Sequence, residues 1–261
     1  MKVMVCLKQV PDAGEGEAFL QQVGEEVQVA CDDWVLNEWD GFAVEAAVHL
    51  IEEHGGESMA VSIGDEAVEG VLRRALAMGV DQAWRLQPDS NSADDSMRLA
   101  HSLMGAALTW KPDLIICGAM ASDSGNGLVP GILAGKLQWP FVALATGLKW
   151  DGKSFLVRHE IHQGMESLEK IGAPLVVSAQ SGLNQPRYVS IRGIRRVAKR
   201  EIPMKNMADL SLSPLQNHVE LVDLKRRFPP SGAHAEILQG SPQEQISQVI
   251  QRMREQGVFT S

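Results

Sequence analysis

The chain has 261 residues, of which 44% are hydrophobic and 22% are charged, a composition typical of a globular protein. Its formal net charge of −9 at pH 7 argues against binding to nucleic acid or to an anionic membrane, because both need a positive field. No apolar run approaches the ~18 residues that a membrane-spanning helix requires. We therefore expect no nucleic-acid partner and no direct insertion into a membrane.

The first residues and the cysteines predict where the protein works. The opening "MKVMVCLKQVPD" reads as a buried strand, and it lacks the long apolar run of a secretory signal. Cys6, Cys31 and Cys117 show no CxxC spacing, and two of them lie in apolar, strand-like runs. Buried, reduced thiols are therefore favoured over a disulfide or a metal site. We expect a cytoplasmic protein without a metal centre.

Strand-like and helix-like segments alternate along the first 150 residues. Strands are predicted at residues 2–10, 57–64, 81–87, 112–118 and 141–150, and helices at 38–53, 65–80, 92–110 and 128–137. Such alternation predicts a parallel sheet covered by helices on both faces. Ligands of these sheets bind beyond the carboxyl ends of the strands. The corresponding loops begin at Val10, Gly64 and Gly118.

The pattern changes after residue 150. Three short apolar runs, at residues 153–161, 164–171 and 173–180, are separated by turn signals such as Asp151-Gly152 and predict an antiparallel extension of the sheet. Residues 183–240 are rich in Pro, Arg and Ser and read as an extended arm. The arm ends in a predicted amphipathic helix with Ser241 as N-cap and Pro242 at its first position. We therefore predict an α/β domain over residues 1–182, followed by an arm over residues 183–261 that wraps around a partner; the family resemblance given below makes the first a nucleotide-binding domain.

The loop "CGAMASDSGNGLVPG", which follows the fourth predicted strand of the parallel sheet and opens a helix, is a candidate anion site. Its small residues let backbone N–H groups approach a phosphate, and the helix N-terminus adds partial positive charge. The loop matches neither GxxxxGK[ST] nor GxGxxG. From the residues alone, a nucleotide site and an ordinary glycine-rich turn both remain open.

The segment "WVLNEWDGFAVEAA" begins the first predicted helix. Asn37 or Asp40 can act as its N-cap. Trp39 lies between two carboxylates, and an exposed aromatic at such a place can stack on a flat ring. The chain's histidines form no HExxH motif, and no Ser-His-Asp or Cys-His arrangement can be defended. We predict no catalytic residue.

Several stretches resemble one family over nearly the whole chain, the beta subunits of electron transfer flavoproteins. The stretches are "KVMVCLKQVPD", "ALAMGVDQA", "HQGMESLEKIGAPLVVS", "LNQPRYVSIRGI" and "AEILQGSPQEQISQVIQRMREQG". The resemblance implies a Rossmann-like α/β fold of the adenine-nucleotide-hydrolase type. It also implies an electron carrier with no substrate chemistry of its own, which forms a heterodimer with an alpha subunit. The alpha subunit would hold most of the FAD, and this chain would bind a structural AMP. The partners implied are a flavin dehydrogenase as electron donor and a quinone oxidoreductase as acceptor.

The resemblance also assigns cofactor-binding positions. They are Cys6, Asn37, Glu38, Trp39, Asp40, Ile63, Gly118, Ala119, Met120, Ala121, Ser122, Asp123, Ser124, Gly125, Asn126, Gly127, Leu128 and Val129. Trp39 occupies an aromatic position that approaches the flavin. The family commonly has Lys, Gln and two Asp where this chain has Ala119, Met120, Ser124 and Gly125. These replacements change the side-chain contacts to the AMP, whereas backbone N–H donors can remain.

The stretch "LNQPRYVSIRGIRR" resembles the family's partner-recognition loop. Ile191 stands where an aliphatic side chain enters a pocket of the dehydrogenase, and Tyr188, Arg192, Arg195 and Arg196 are the other expected docking residues. The arginine-rich form resembles members that serve amine or methylated-glycine dehydrogenases. Two alternatives remain: a stand-alone adenine-nucleotide-binding module, and a flavin-bifurcating variant in which a second FAD replaces AMP. The loop "SGNGLVPG" does not resemble the DTAQVGP loop of the bifurcating subclass.

Overall fold

The structure, a computed structural model, describes residues 1–12, 19–24, 26–88, 95–206, 208–210, 212 and 235–258. The strands are β1 (Lys2–Leu7), β2 (Gln9–Pro11), β3 (Phe19–Val23), β4 (Glu26–Ala30), β5 (Trp34–Leu36), β6 (Glu57–Ile63), β7 (Gln82–Leu86), β8 (Leu114–Gly118), β9 (Phe141–Trp150), β10 (Phe155–Glu160), β11 (Glu166–Ile171), β12 (Leu175–Ala179) and β13 (Met204–Lys205). The helices are α1 (Glu38–His54), α2 (Glu69–Met78), α3 (Ser96–Trp110), α4 (Val129–Leu137), α5 (Ile191–Val197) and α6 (Pro242–Glu255). The predicted α/β fold with a largely parallel sheet and a C-terminal helix is confirmed.

A mixed sheet organises these elements, in the order β11-β10-β9-β12-β8-β1-β6-β7-β13. Seven neighbouring strands of this sheet are parallel, namely β9, β12, β8, β1, β6, β7 and β13. Strands β10 and β11 are antiparallel additions at the β9 edge. The chain leaves β1 toward β6 and β7, and it then returns to the other side of β1 as β8. The carboxyl ends of β1 and β8 therefore form the crevice at which such sheets bind ligands.

The two faces of the sheet carry separate cores, because successive side chains of a strand point in opposite directions. Val3 and Val5 pack with α1 and α2, while Met4 and Cys6 pack with α3 and α4. Burial on both faces accounts for strands that are continuously apolar instead of alternating. The first predicted strand is shorter than expected: β1 ends at Leu7, and residues 9–11 form β2, which pairs antiparallel with β5.

The antiparallel extension is confirmed for two of the three predicted runs. β10 pairs with β9 and β11, and the tight turn at Gly152 (φ 93°) joins β9 to β10. The third run is a correction: β12 is parallel and lies between β8 and β9. It is a fully buried strand inside the parallel part of the sheet. The predicted start of the third helix, at residues 92–94, lies outside the described residues.

The segment after β12 contains more structure than the predicted extended arm. Helix α5 spans residues 191–197, and β13 adds two residues to the sheet edge beside β7. Residues 213–234 of the predicted arm lie outside the described residues. The chain divides into two compact units, one of residues 1–19 and 29–222 and the other of residues 20–28 and 223–261. The boundary predicted at residue 182 stays a prediction.

The terminal helix of the second unit follows its sequence prediction. Ser241 is the N-cap of α6 and forms a reciprocal capping box with Glu244, and Pro242 occupies the first turn. Ile246, Val249 and Ile250 are exposed on its apolar face. Among the described residues, no helix is long and apolar enough to cross a membrane.

Candidate nucleotide-binding site

A cavity of ≈ 420 Å³ lies at the crevice defined by β1 and β8, and its size is within the range of small-molecule sites. Its wall combines three loops that follow β1, β6 and β8 with one side of α3. The lining residues from the ends of β1 and β6, their loops and α3 are Cys6, Leu7, Lys8, Gln9, Ile63, Gly64, Asp65, Val68, Ser96, Leu99 and Leu103, and the start of α1 adds Asn37 and Asp40 while the segment after β7 adds Pro88. Those from β8 and its loop are Cys117, Gly118, Ala119, Met120, Ala121, Ser124, Asn126, Gly127, Leu128, Val129 and Pro130.

The carboxylate of Asp40 joins the ends of the two central strands. Its Oδ2 accepts a hydrogen bond from the backbone N–H of Lys8 (2.7 Å), and its Oδ1 accepts one from the backbone N–H of Gly118 (3.1 Å). Burial raises the pKa of Asp40 to about 7 against the opposing effect of these hydrogen bonds. Protonated and ionised forms therefore both occur near neutral pH.

Asn37 holds the loop that follows β8. Its Nδ2 donates to the carbonyl of Met120 (2.8 Å), and its Oδ1 accepts from the N–H of Ser122 (3.2 Å). Asn37 is the N-cap residue of α1 by position, but its side chain makes no capping hydrogen bond. The expected N-cap position of Asn37 is therefore confirmed, whereas a capping hydrogen bond from its side chain is absent. The side chains of Asn37 and Asp40 hold the cavity wall together instead.

Two glycines permit the close packing of this wall. A Cβ on Gly118 would overlap with Asp40 Oδ1, so only glycine fits beneath that carboxylate. Gly127 has a φ of +60°, and a Cβ there would lie 3.1 Å from the carbonyl oxygen of Ala119. These positions explain why the loop is rich in glycine and bring backbone groups to the cavity surface.

Two cysteines form part of the cavity floor. Cys6 and Cys117 face each other in the register of β1 and β8 and are both buried. A hydrogen bond with Cys6, together with burial, raises the pKa of the Cys117 thiol well above its usual value. A protonated, buried thiol is a poor nucleophile. Cys6, Cys117 and the half-buried Cys31 are all free thiols in the structure.

Most of the predicted cofactor positions meet at this cavity. Those that line it are Cys6, Asn37, Asp40, Ile63, Gly118, Ala119, Met120, Ala121, Ser124, Asn126, Gly127, Leu128 and Val129. Glu38, Trp39, Ser122, Asp123 and Gly125 are not among the lining residues. Trp39 is half-buried outside the cavity, and its Cβ lies close to Gly118. Their role in cofactor binding stays a prediction.

Several lining residues were not among the predicted cofactor positions, and of these Lys8, Gln9 and Asp65 lie just beyond the ends of β1 and β6. A usable signal was present, because these positions are on the loops expected to bind ligands. Leu99 and Leu103 come from α3 and could not be found this way. Among the described residues, no cluster of His, Cys, Asp and Glu side chains is suited to hold a metal ion.

The predicted docking segment lies beside α1 and is fixed by polar contacts. Arg187 donates to Glu45 and Glu52, and its Nε lies 2.9 Å from Glu45 Oε2. The hydrogen bonds to these two carboxylates raise the pKa of Arg187, and the one to Glu52 has the larger effect. Asn184 Nδ2 also donates to the carbonyl of Phe42 (2.9 Å).

The side chains predicted to dock a partner are exposed on the surface. Tyr188 is 88% exposed, Ile191 65% and Ile194 51%, at a spacing of three residues. Arg192, Arg195 and Arg196 are exposed as well. An exposed apolar strip with arginines around it is unusual for a surface in contact with water alone, and such patches mark interaction sites.

The fold and the cavity together define a class: a parallel α/β protein of Rossmann-like type with a nucleotide-sized cavity at its switch point. Comparison with known proteins narrows this class. Residues 27–210 match the family described as "Electron transfer flavoprotein domain". The chain is 32% identical over 255 residues to the "Electron transfer flavoprotein subunit beta" of Bacillus subtilis (strain 168), covering 97% of this chain and 98% of that protein.

Two further relatives show the same coverage. The "Electron transfer flavoprotein subunit beta" of Methylophilus methylotrophus is 31% identical over 264 residues, 98% of each chain. The "Caffeyl-CoA reductase-Etf complex subunit CarD" of Acetobacterium woodii is 27% identical over 265 residues, 99% of this chain and 100% of that protein. The chain therefore belongs to the electron transfer flavoprotein family, and its role lies in electron transfer.

Proposed function

We propose that this chain is the beta subunit of a heterodimeric electron transfer flavoprotein and that its cavity binds AMP as a structural nucleotide. The observation that carries the proposal is the cavity at the β1–β8 crevice, to which thirteen of the predicted cofactor positions contribute. Backbone N–H groups of residues 119–129 and the first turn of α4 would hold the phosphate, since this loop has few charged side chains. Bound AMP would stabilise the folded chain by mass action.

The residues around the cavity fit such a ligand. Ile63, Val68 and Leu99 offer an apolar surface for a flat base, while Lys8, Asn126 and Ser124 provide polar groups at the other loops. This combination of apolar walls and few polar groups is typical of nucleotide-sized sites. Gly118 and Gly127 keep the backbone close to the ligand space.

The FAD would be held mainly by the alpha subunit and touched by this chain through Trp39. Trp39 lies at the carboxyl edge of the sheet but outside the cavity, so the two ligands would occupy separate places. When bound, the FAD supplies the redox chemistry, and the protein supplies binding and electrostatics. In this proposal the heterodimer accepts electrons from a flavin dehydrogenase and passes them to a quinone oxidoreductase.

Exposed apolar side chains give the alpha subunit surfaces to cover. Leu168 is 68% exposed and Met165 54% on the antiparallel extension, and Ile246 is 59% exposed on α6. Apolar patches of this kind mark protein–protein interfaces. We propose that the alpha subunit covers both regions, with the C-terminal region wrapping around it. The dehydrogenase would dock at Tyr188, Ile191, Arg192, Arg195 and Arg196.

The nucleotide content of the purified heterodimer tests this function. The chain is co-expressed with an alpha subunit, the complex is denatured, and the released nucleotides are identified by mass spectrometry. One AMP and one FAD per heterodimer is the expected result. Two FAD molecules without AMP would identify the flavin-bifurcating alternative, whereas ATP on a chain that does not bind an alpha subunit would identify a stand-alone nucleotide-binding module.

A further inference from the structure

Lys8 is the one positively charged residue among the described residues that line the cavity. Its backbone is fixed on both sides, because its N–H donates to Asp40 Oδ2 and its carbonyl accepts from the N–H of Asn37 (3.1 Å). Its side chain is 41% exposed, which leaves space for other rotamers. The structure therefore places a movable ammonium group on a rigid stem at the cavity wall.

The ammonium group of Lys8 contacts the loop that follows β8. Its Nζ lies 2.7 Å from Asp123 Oδ1, which is the ion pair between this loop and the end of β1. Asp123 is 28% exposed, and it is not among the cavity-lining residues. Partly exposed ion pairs contribute only about 0–1 kcal/mol, so another anion can displace Asp123 from Lys8.

The other charges at the cavity are negative. Asp65 lines it and Asp123 lies next to it, while Asp40, with a pKa of about 7, is ionised only in part near neutral pH. A phosphate dianion entering this cavity would meet carboxylates and a single ammonium group. Backbone N–H groups can solvate the phosphate, but among the described residues that line the cavity only Lys8 carries a positive charge to balance it. Neutral nucleosides face no such requirement.

We propose that Lys8 binds the phosphate of the nucleotide and that Asp123 competes with the phosphate for it. The ammonium group of Lys8 pairs with Asp123 when no nucleotide is bound and with the phosphate when the nucleotide is bound. This inference rests on the proposed nucleotide site and adds its phosphate selectivity. Lys8 makes the site bind a nucleoside 5′-phosphate more tightly than a neutral nucleoside. Competition from Asp123 reduces the affinity for the phosphate.

Binding of AMP and adenosine to the full chain, measured by calorimetry, tests the proposal. Lys8→Met keeps the backbone contact with Asp40 and removes the charge. It is expected to weaken AMP binding about tenfold or more, the scale of one charge-assisted hydrogen bond, and to leave adenosine binding within about twofold. Asp123→Asn frees Lys8 and is expected to tighten AMP binding about threefold, in keeping with a weak ion pair. Lys8→Arg should retain AMP, and Lys149→Met, at an exposed position of β9, serves as the control for a lost positive charge.

Equal loss of AMP and adenosine affinity in Lys8→Met would overturn the proposal, because it would show a purely structural role. AMP binding unchanged in that variant, or weakened in Asp123→Asn, would overturn it as well and leave the nucleotide site intact. A wild-type chain that binds neither AMP nor adenosine would instead overturn the proposed nucleotide site, and this inference with it.

Discussion

Asp40 is a buried carboxyl group whose protonation affects the stability of the folded chain. Its pKa is raised by burial to about 7 in the folded chain, whereas an unfolded Asp titrates near ~3.9. At pH values between these two pKa values, Asp40 is mostly protonated in the folded state and mostly ionised in the unfolded state. The stability contributed by this group is therefore fully present below about pH 4 and is lost as the pH rises through 7.

An Asp40→Asn variant isolates this effect. We expect the free energy of unfolding of the wild type to fall by about 1–3 kcal/mol between pH 5 and pH 8 because of this residue, and the fall to be smaller in the variant. Urea denaturation at both pH values measures it, with the exposed Asp32→Asn as control. Parallel pH dependence in the wild type and both variants would contradict the assignment.

Among the secondary-structure elements, α5 depends on a contact outside itself. With seven residues and one buried side chain, Val197, it is too short to be stable alone. Arg187, three residues before its N-cap Ser190, ties the preceding loop to Glu45 and Glu52 of α1. Glu45 is only 6% exposed, so its charge relies on this partner.

Replacing Arg187 by Met should therefore affect both stability and local order. We expect the free energy of unfolding to fall by about 3 kcal/mol, since Glu45 is left as a buried, unpaired carboxylate. Backbone amides of residues 188–197 should exchange with solvent faster, as measured by hydrogen–deuterium exchange. Arg74→Met, at an exposed position of α2, is the control and should change neither quantity. Unaltered exchange at α5 in Arg187→Met would show that the loop is held by other contacts.

The sequence predicted where the strands lie better than it predicted how they pair in the sheet. Apolar runs between turn signals located β6, β7, β8 and β9, because strands buried on two faces need many apolar residues. The direction of β12 could not be predicted, because a buried parallel strand and a buried antiparallel strand can have the same short apolar sequence. Helix α5 was missed because its seven residues show no long periodic pattern.

The candidate site was predictable to the level of loops. The rule that ligands bind beyond the strand ends located the cavity and its glycine-rich loop. The roles of Asn37 and Asp40 were not predictable, because their hydrogen bonds join residues 85 and 78 positions apart. The local pattern offers either residue as a helix cap, whereas their hydrogen bonds to the ends of β1 and β8 and to the loop after β8 depend on how the strand ends pack.

For the molecule as a whole, the negative net charge contrasts with the charge of the predicted docking segment. The chain carries a net charge of −9, yet Arg192, Arg195 and Arg196 cluster on one exposed segment. Among the described residues, no ion pair is formed by these three arginines. A positive patch on an acidic protein orients it toward a negatively charged partner and raises the association rate more than the affinity.

The apolar strip beside these arginines would then supply the affinity. Ile191 begins α5 and is the more exposed of the strip's two aliphatic members, the other being Ile194, and a single aliphatic residue in a partner's pocket can act as a binding hot spot. In the heterodimer, we expect Ile191→Ala to leave the FAD content unchanged and to slow reduction by the dehydrogenase about tenfold, equivalent to a lost contact of about 1.4 kcal/mol. Stopped-flow absorbance of the flavin measures the rate. Leu108→Ala, a similarly exposed aliphatic position on α3, is the control, and equal rates in both variants would contradict the role of Ile191.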